Sequence, residues 1–226
     1  IKSIHIDNIT RYINKMNKIK FLLWDLDGTV NDFLATENYA IKKGFARMGF
    51  GSCTDEMVAR YSKINVSYWE KLEKGEMSKP EILVGRFQDF FAEYGIPTEH
   101  APIFNENYQK DLGDNLVFID GALEVLRKIN ESGKFRQFVV TNGLVANQKR
   151  NLEGPELKPI FEYAFISDEV GFEKPDIRFF EKVFEKIGPV EKEQVLIIGD
   201  SLTSDIRGGN NAGIKTCWFN PKGKVN

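Results

Sequence analysis

The stretch MNKIKFLLWDLDGTV (16–30) decides how the rest of the chain is read. Its apolar run Ile19–Trp24 is continuous rather than alternating, the pattern of a strand buried on both faces of a parallel sheet. The run stops at Asp25-Leu26-Asp27-Gly28-Thr29-Val30. Two carboxylates two residues apart at a strand end can face one cavity and hold Mg²⁺, a hard cation that takes oxygen ligands and keeps waters for a phosphate. The plainer alternative is a turn, for which Asp and Gly are equally suited. What surrounds the strand decides between them.

Further apolar runs end in polar residues in the same way. They are Gln137–Val140 before Thr141, Ala164–Ile166 before Ser167, and Val195–Ile198 before Gly199-Asp200, with Ile214–Phe219 near the end. Helical patterns separate them. Asp120 is placed to cap a helix bearing Leu123, Leu126 and Ile129, with Gly133 to stop it. Asp176 is placed to cap another, with Ile177, Phe180, Phe184 and Ile187 on one face. Strands alternating with helices predict an α/β fold, a doubly wound parallel sheet with a Rossmann-like core. In such sheets ligands bind beyond the carboxyl ends of the strands, where these polar residues fall.

Between the first strand and that core the pattern changes. Residues 33–114 carry helical periodicity in about Phe33–Met48, Asp55–Leu72, Lys79–Tyr94 and Thr98–Lys110, broken at Gly49, Gly51, Gly75, Gly95 and Pro97. The domain expectation is therefore a core made of 16–32 and 115–226, with a helical module inserted at 33–114. Met16 reads as a natural start, so residues 1–15 are treated as an extension on which no function is placed.

Composition narrows the partners. With 31 basic against 33 acidic side chains, the formal net charge is −2, which gives no basic face for a nucleic acid polymer. Cys53 and Cys217 lie far apart, and only His5 and His100 accompany them, so neither a disulfide framework nor a zinc site is expected. Two reduced thiols fit a cytoplasmic protein. No apolar run approaches the length of a membrane span, and no signal peptide is visible. The expected partner is a small molecule, and the expected assembly a monomer or small homo-oligomer.

Four other positions can carry chemistry. Asp200 ends a strand and supplies a third carboxylate, and three converging carboxylates repel one another unless a cation joins them. Thr141-Asn142-Gly143 can hold phosphate oxygens through a hydroxyl and backbone N–H groups, or simply turn the chain into a helix. Lys174 can neutralise a phosphoryl group, although an isolated lysine is usually a solvated surface group. Asp205 either caps the next helix or orients the metal ligands from behind.

Taken in order, Asp-x-Asp after a strand, Thr at the next core strand, Lys before a helix and Gly-Asp at a later strand resemble the haloacid dehalogenase (HAD) superfamily. The helical insertion resembles that superfamily's cap after its first motif, and the resemblance covers nearly the whole chain after Met16. Three stretches, VVTNGLVANQKRNL (139–152), INVSYWEKLEKGEMSKPEILVGRF (64–87) and GDSLTSDIRGGNNAGIKTCWFNP (199–221), are similar to the bacterial pyrimidine 5′-nucleotidase branch of house-cleaning nucleotidases. The connection NLEGPELKPIF (151–161) is slightly longer than that pattern.

The resemblance implies a Mg²⁺-dependent 5′-nucleotidase-like phosphatase. Asp25 would be the nucleophile and Asp27 the acid and then the base. Asp25, the backbone carbonyl of Asp27, and Asp200 would hold the metal. Thr141, Asn142 and Lys174 would bind phosphate. Asp27 favours phosphate-ester over carbon–halogen chemistry, because a halide leaving group needs no acid. Asn65, Tyr68, Trp69 and Arg86 are candidates to contact a nucleobase, against the simpler expectation that Tyr68 and Trp69 pack inside the cap and Arg86 forms a surface ion pair. A sugar-phosphate phosphatase or phosphomutase on the same scaffold is the alternative, with a non-catalytic binding protein behind it.

Overall fold

The structure is a computed structural model and describes residues 3–4, 6–221 and 223. His5 lies outside the described residues. In chain order the elements are β1 (Ser3–Ile4), α1 (Ile6–Asn14), β2 (Phe21–Trp24), α2 (Phe33–Met48), α3 (Asp55–Glu73), α4 (Lys79–Glu93) and α5 (Ala101–Asp114). They continue with α6 (Ala122–Glu131), β3 (Arg136–Thr141), α7 (Val145–Glu153), β4 (Tyr163–Ile166) and α8 (Ser167–Val170). The last are α9 (Ile177–Ile187), β5 (Val195–Gly199), α10 (Arg207–Ala212) and β6 (Lys215–Phe219).

Every strand pairing is parallel, and the sheet order is β1-β6-β5-β2-β3-β4. The chain leaves β2 toward β3 and β4 on one side, then crosses to β5 and β6 on the other. That reversal opens a crevice at the carboxyl end of β2, the point where doubly wound sheets bind ligands. Alternate residues of β2 serve opposite layers, as the pleat requires. Leu22 and Trp24 pack with Ile9, Ile13, Leu126, Val139 and Ile198. Phe21 and Leu23 pack with Phe138, Val140, Phe180, Val183 and Ile197 on the other face. Both faces of the strand are dry, hence the unbroken hydrophobic run. Gln137, buried inside β3, is satisfied by accepting a bond from Trp24 Nε1 at 3.1 Å.

Some local expectations change. Ile9 and Ile13 of α1 lie in the core, and α1 packs against α6, so residues 6–14 are an integral part of this layer. Gly121, at φ +77°, occupies the N-cap of α6 in place of Asp120, and no side chain caps it. Asp176 does cap α9, accepting from the Arg178 N–H at 2.8 Å. The buried face of α9 is Phe179, Phe180, Val183 and Ile187, whereas Ile177 is 38% exposed. The longer connection after α7 turns inward and buries Leu157 and Ile160. No helix among the described residues is long and apolar enough to cross a membrane.

The chain divides into two compact units, one comprising residues up to Asp32 with those from Phe118 onward, the other Phe33–Val117. The second unit contains α2–α5, and its centre is aromatic. Phe45, Tyr61, Phe87, Phe90, Phe91, Phe104 and Tyr108 are all buried there, mostly in edge-on and tilted pairs. Gly44 lets α2 approach α5, because a Cβ there would meet the Phe104 ring at 2.6 Å. Within this unit Arg86 is 1% exposed, so it is a buried group and not a surface ion pair. It donates to Asn65 Oδ1 at 2.6 Å and Asn105 Oδ1 at 3.1 Å, while Asn65 and Ser62 donate to the buried Glu37 carboxyl. Tyr68 is also buried, its hydroxyl donating to Asp89 at 2.7 Å, and Trp69 packs against the same aromatic cluster.

Candidate active site

The carboxyl ends of β2, β3 and β5 bring together residues from all four predicted motifs. Asp25 continues β2 and is buried, its N–H donating to the Ile198 carbonyl of β5 at 3.0 Å. Its Oδ1 accepts from Lys174 Nζ at 2.8 Å and its Oδ2 from the Thr29 hydroxyl at 3.2 Å.

Lys174 is fully buried, contrary to the default for a lone lysine. Its three ammonium protons have three acceptors: Asp25 Oδ1 at 2.8 Å, Asp205 Oδ1 at 2.7 Å and the Val140 carbonyl at 2.7 Å. Burial alone would lower its pKa. The carboxylates of Asp205 and Asp25 outweigh this, and the ammonium is held above its ordinary range. Its backbone is gripped as well. Asn142 Nδ2 donates to the Lys174 carbonyl and Asn142 Oδ1 accepts from the Lys174 N–H, both at 2.9 Å. The Asn142 side chain therefore ties the loop after β3 to the segment before α9. Its amide is spent on that tie. Thr141 Oγ1 accepts from the Gly143 N–H at 3.0 Å, a bond that leaves the hydroxyl proton available to another acceptor.

Asp205 does not cap the helical segment that follows β5. Ser201 does, accepting from the Ser204 N–H at 3.1 Å. Both Asp205 oxygens are engaged, Oδ1 by Lys174 and Oδ2 by the Ser201 N–H at 3.1 Å. Its residue is fully buried, and a Cβ at Gly199 would overlap its carboxylate. Asp205 thus stands behind the site and fixes the lysine.

Asp200 follows β5, and its carbonyl accepts from Trp218 Nε1 at 3.0 Å. A Cβ built on Gly28 would come within 2.8 Å of Asp200 Oδ2, so the Asp-x-Asp loop and the Asp200 carboxylate can lie this close only with glycine between them. Gly28 also has φ +94°, a conformation that favours glycine. One oxygen each of Asp25, Asp200 and Asp205 lies within 4.8 Å of the others.

Asp27 is half-buried. Burial, then the Asp25 charge, push its pKa up to about 6, partly countered by hydrogen bonds from Gln148 and Asn31. Gln148 Nε2 donates to Asp27 Oδ2 at 2.6 Å, and Asn31 Nδ2 lies 3.4 Å from Oδ1. Neither Gln148 nor Asn31 was singled out from the sequence. Gln148 lies on α7, 121 residues from Asp27, and only the sheet order brings them together.

The donor set fits a hard divalent cation. Asp25 and Asp205 share the Lys174 ammonium, Asp27 and Asp200 stand at the same strand ends, and burial with mutual repulsion pushes Asp205 as well as Asp27 upward. A cation offsets that repulsion, and oxygen-only donors suit Mg²⁺. Asp25 and Asp200 are the carboxylates that would hold it, while Asp205 accepts from Lys174 and the Ser201 N–H behind the site. The Asp25 oxygens, each bonded once, to Lys174 and to Thr29, keep a lone pair for a cation.

The chain matches the family model for haloacid dehalogenase-like hydrolases over residues 22–219. It is 37% identical to YfnB of Bacillus subtilis over 211 residues, covering 93% of this chain and 88% of that protein. It is also 37% identical to the pyrimidine 5′-nucleotidase PynA of Streptococcus pneumoniae, covering 89% and 84% respectively. Identity to the pyrimidine 5′-nucleotidase YjjG of Escherichia coli is 30%, covering 74% and 72%. The crystal structure of Bacillus subtilis YfnB bound to magnesium superimposes with a TM-score of 0.85, covering 92% of this chain and 90% of that one. Motif order, parallel topology and sequence likeness agree, and the chain belongs to the haloacid dehalogenase-like hydrolases.

Proposed function

We propose that the protein is a Mg²⁺-dependent phosphatase of nucleoside 5′-monophosphates, with pyrimidine nucleotides as its preferred class, working through an aspartyl-phosphate on Asp25. The observation that carries this reading is the unequal pair of carboxyls at the end of β2. Asp25 Oδ1 is bonded to a buried ammonium, whereas the pKa of Asp27, two residues on, is pushed up to about 6. One is suited to attack and the other to hold a proton near neutral pH. The likeness to PynA and YjjG, both named as pyrimidine 5′-nucleotidases, supports the substrate class.

In the first step an Asp25 oxygen forms a bond to phosphorus while the bond from phosphorus to the leaving oxygen breaks. Asp27 gives its proton to that leaving oxygen. In the second step Asp27 takes a proton from water as the water attacks phosphorus, and the bond to Asp25 breaks. Thr141, the backbone at Asn142, and Lys174 steady the transferring oxygens. When bound, Mg²⁺ on Asp25, the Asp27 carbonyl and Asp200 lowers the repulsion between carboxylates and the phosphate dianion. A cytoplasmic location belongs to the same reading, supported by the free thiols Cys53 and Cys217.

The test is phosphate release from a panel of nucleotides and sugar phosphates, run with Mg²⁺ and with EDTA. Release from UMP or dTMP that stops on metal removal is expected. Isomerisation of a hexose 1-phosphate without phosphate release would replace this reading by a mutase, and full activity of Asp25→Asn would overturn the covalent mechanism.

A further inference from the structure

The Asp27 carboxyl is held at its two oxygens by two amides of different reach. Gln148 Nε2 lies 2.6 Å from Oδ2, a short contact, while Asn31 Nδ2 lies 3.4 Å from Oδ1, near the limit for a hydrogen bond. A carboxylate only accepts, so the amide end that faces it is the NH₂ of Gln148. The glutamine is 2% exposed, and its own carbonyl, Oε1, is buried with no partner among the described residues. Leaving such an oxygen unbonded is costly, and native proteins rarely accept it without a reason. Gly143, at the turn into α7, makes the arrangement possible, because a Cβ there would overlap the Gln148 amide. Packing, an unmet carbonyl and a missing Cβ therefore converge on one bond.

We propose that Gln148 is a positioning residue for proton transfer in this enzyme. It fixes the plane of the Asp27 carboxyl by occupying Oδ2, so that Oδ1 is the atom that holds the proton passed to the leaving oxygen. The proposal rests on the acid role given to Asp27 above. The Asn31 bond to Oδ1, at 3.4 Å, is the longer and weaker of the two and yields more readily when the proton is on Oδ1. The proton leaves Oδ1 as the bond between phosphorus and the leaving oxygen breaks. The Gln148 donor then stabilises the carboxylate that results.

The test uses two leaving groups. A ribose 5′-alkoxide is a strong base and needs the proton, whereas p-nitrophenolate departs without it. The quantity kcat/KM covers only the steps up to that departure, so slow hydrolysis of the phospho-enzyme does not enter it. With the full-length protein and Mg²⁺, Gln148→Met is expected to lower kcat/KM for UMP roughly tenfold or more, a fraction of the usual acid–base contribution. For p-nitrophenyl phosphate it should fall less than about threefold. Gln148→His, which restores an N–H donor, should recover part of the loss on UMP. If Gln148→Met does not give folded protein by circular dichroism, Gln148→Leu, of similar size, uncharged and without the donor, replaces it in the comparison. Equal losses on both substrates, or no loss, in a folded variant would overturn the proposal.

Asp27→Asn separates the two levels of the argument. If it discriminates between the substrates and Gln148→Met does not, only the role of Gln148 falls. If Asp27→Asn fails to discriminate, the acid role of Asp27 falls, and this inference with it.

Discussion

Asn142 and Lys174 hold each other by a two-point bond, side-chain amide to backbone, with both contacts at 2.9 Å across 32 residues of sequence. This clasp sets the height at which the lysine enters the site. Asn142→Ala would leave the N–H and C=O of a buried residue unmet, at about 1–3 kcal/mol for each group. Thermal unfolding should show the lower stability. Steady-state assays should show kcat falling at least tenfold, because a small misplacement of a catalytic cation is magnified in the rate. An unchanged kcat in the variant would mean that Lys174 keeps its place without the clasp.

Lys174→Met removes the one ammonium that Asp25 and Asp205 share. Breaking a buried ion pair from one side costs about 3–5 kcal/mol, since the remaining charge has no partner. Urea unfolding should register a loss of that order in the metal-free protein. Phosphatase activity should fall on the order of 10² or more even at saturating Mg²⁺, in line with the loss of a charge-stabilising group. Wild-type turnover in this variant would remove Lys174 from the mechanism.

Gly28→Ala tests the approach of the Asp-x-Asp loop to Asp200. The methyl group would sit 2.8 Å from Asp200 Oδ2 and strain a backbone at φ +94°. The Mg²⁺ concentration for half-maximal activity should rise about tenfold or more, as happens when the support of a ligand is disturbed. Titrating activity against Mg²⁺ gives the answer directly, and an unshifted midpoint would exclude Asp200 from the metal site.

Glu37 in the helical unit predicts a pH-dependent stability. Burial raises its pKa to about 7, while the Ser62 and Asn65 hydrogen bonds and the Arg86 charge pull it down. The folded state therefore binds this proton more tightly than the unfolded chain does. Its contribution is fully present below the unfolded value of about 4.5 and is lost as pH rises through about 7. The ceiling is about 3 kcal/mol. Glu37→Gln should flatten this part of the stability profile, so that the variant gains on the wild type between pH 5 and pH 8. Urea midpoints at the two pH values measure it, and parallel profiles would show that Glu37 is not the group responsible.

The sequence by itself determined the five strands β2–β6, whereas β1 (Ser3–Ile4), which pairs with β6, is too short to carry such a signal. A run such as Phe21–Trp24 is buried on both faces and so is apolar without interruption, a signal contained in four neighbouring residues. The helical unit was legible for the same reason, since the repeat of apolar positions in α2–α5 is local. The order of Asp25, Thr141, Lys174 and Asp200 then named the crevice, because strand ends are where such a sheet binds ligands. Tertiary structure alone decided which polar group meets which. Nothing near Gln148 announces that its amide reaches Asp27, and nothing near Arg86 shows that it is buried beside Asn65. Asp120 looked like a cap by residue type, but Gly121 takes that position with φ +77°. Periodicity is a property of neighbouring residues and survives in any one segment. A hydrogen bond across 121 residues depends on how the sheet is wound and on the space that a glycine such as Gly143 leaves open.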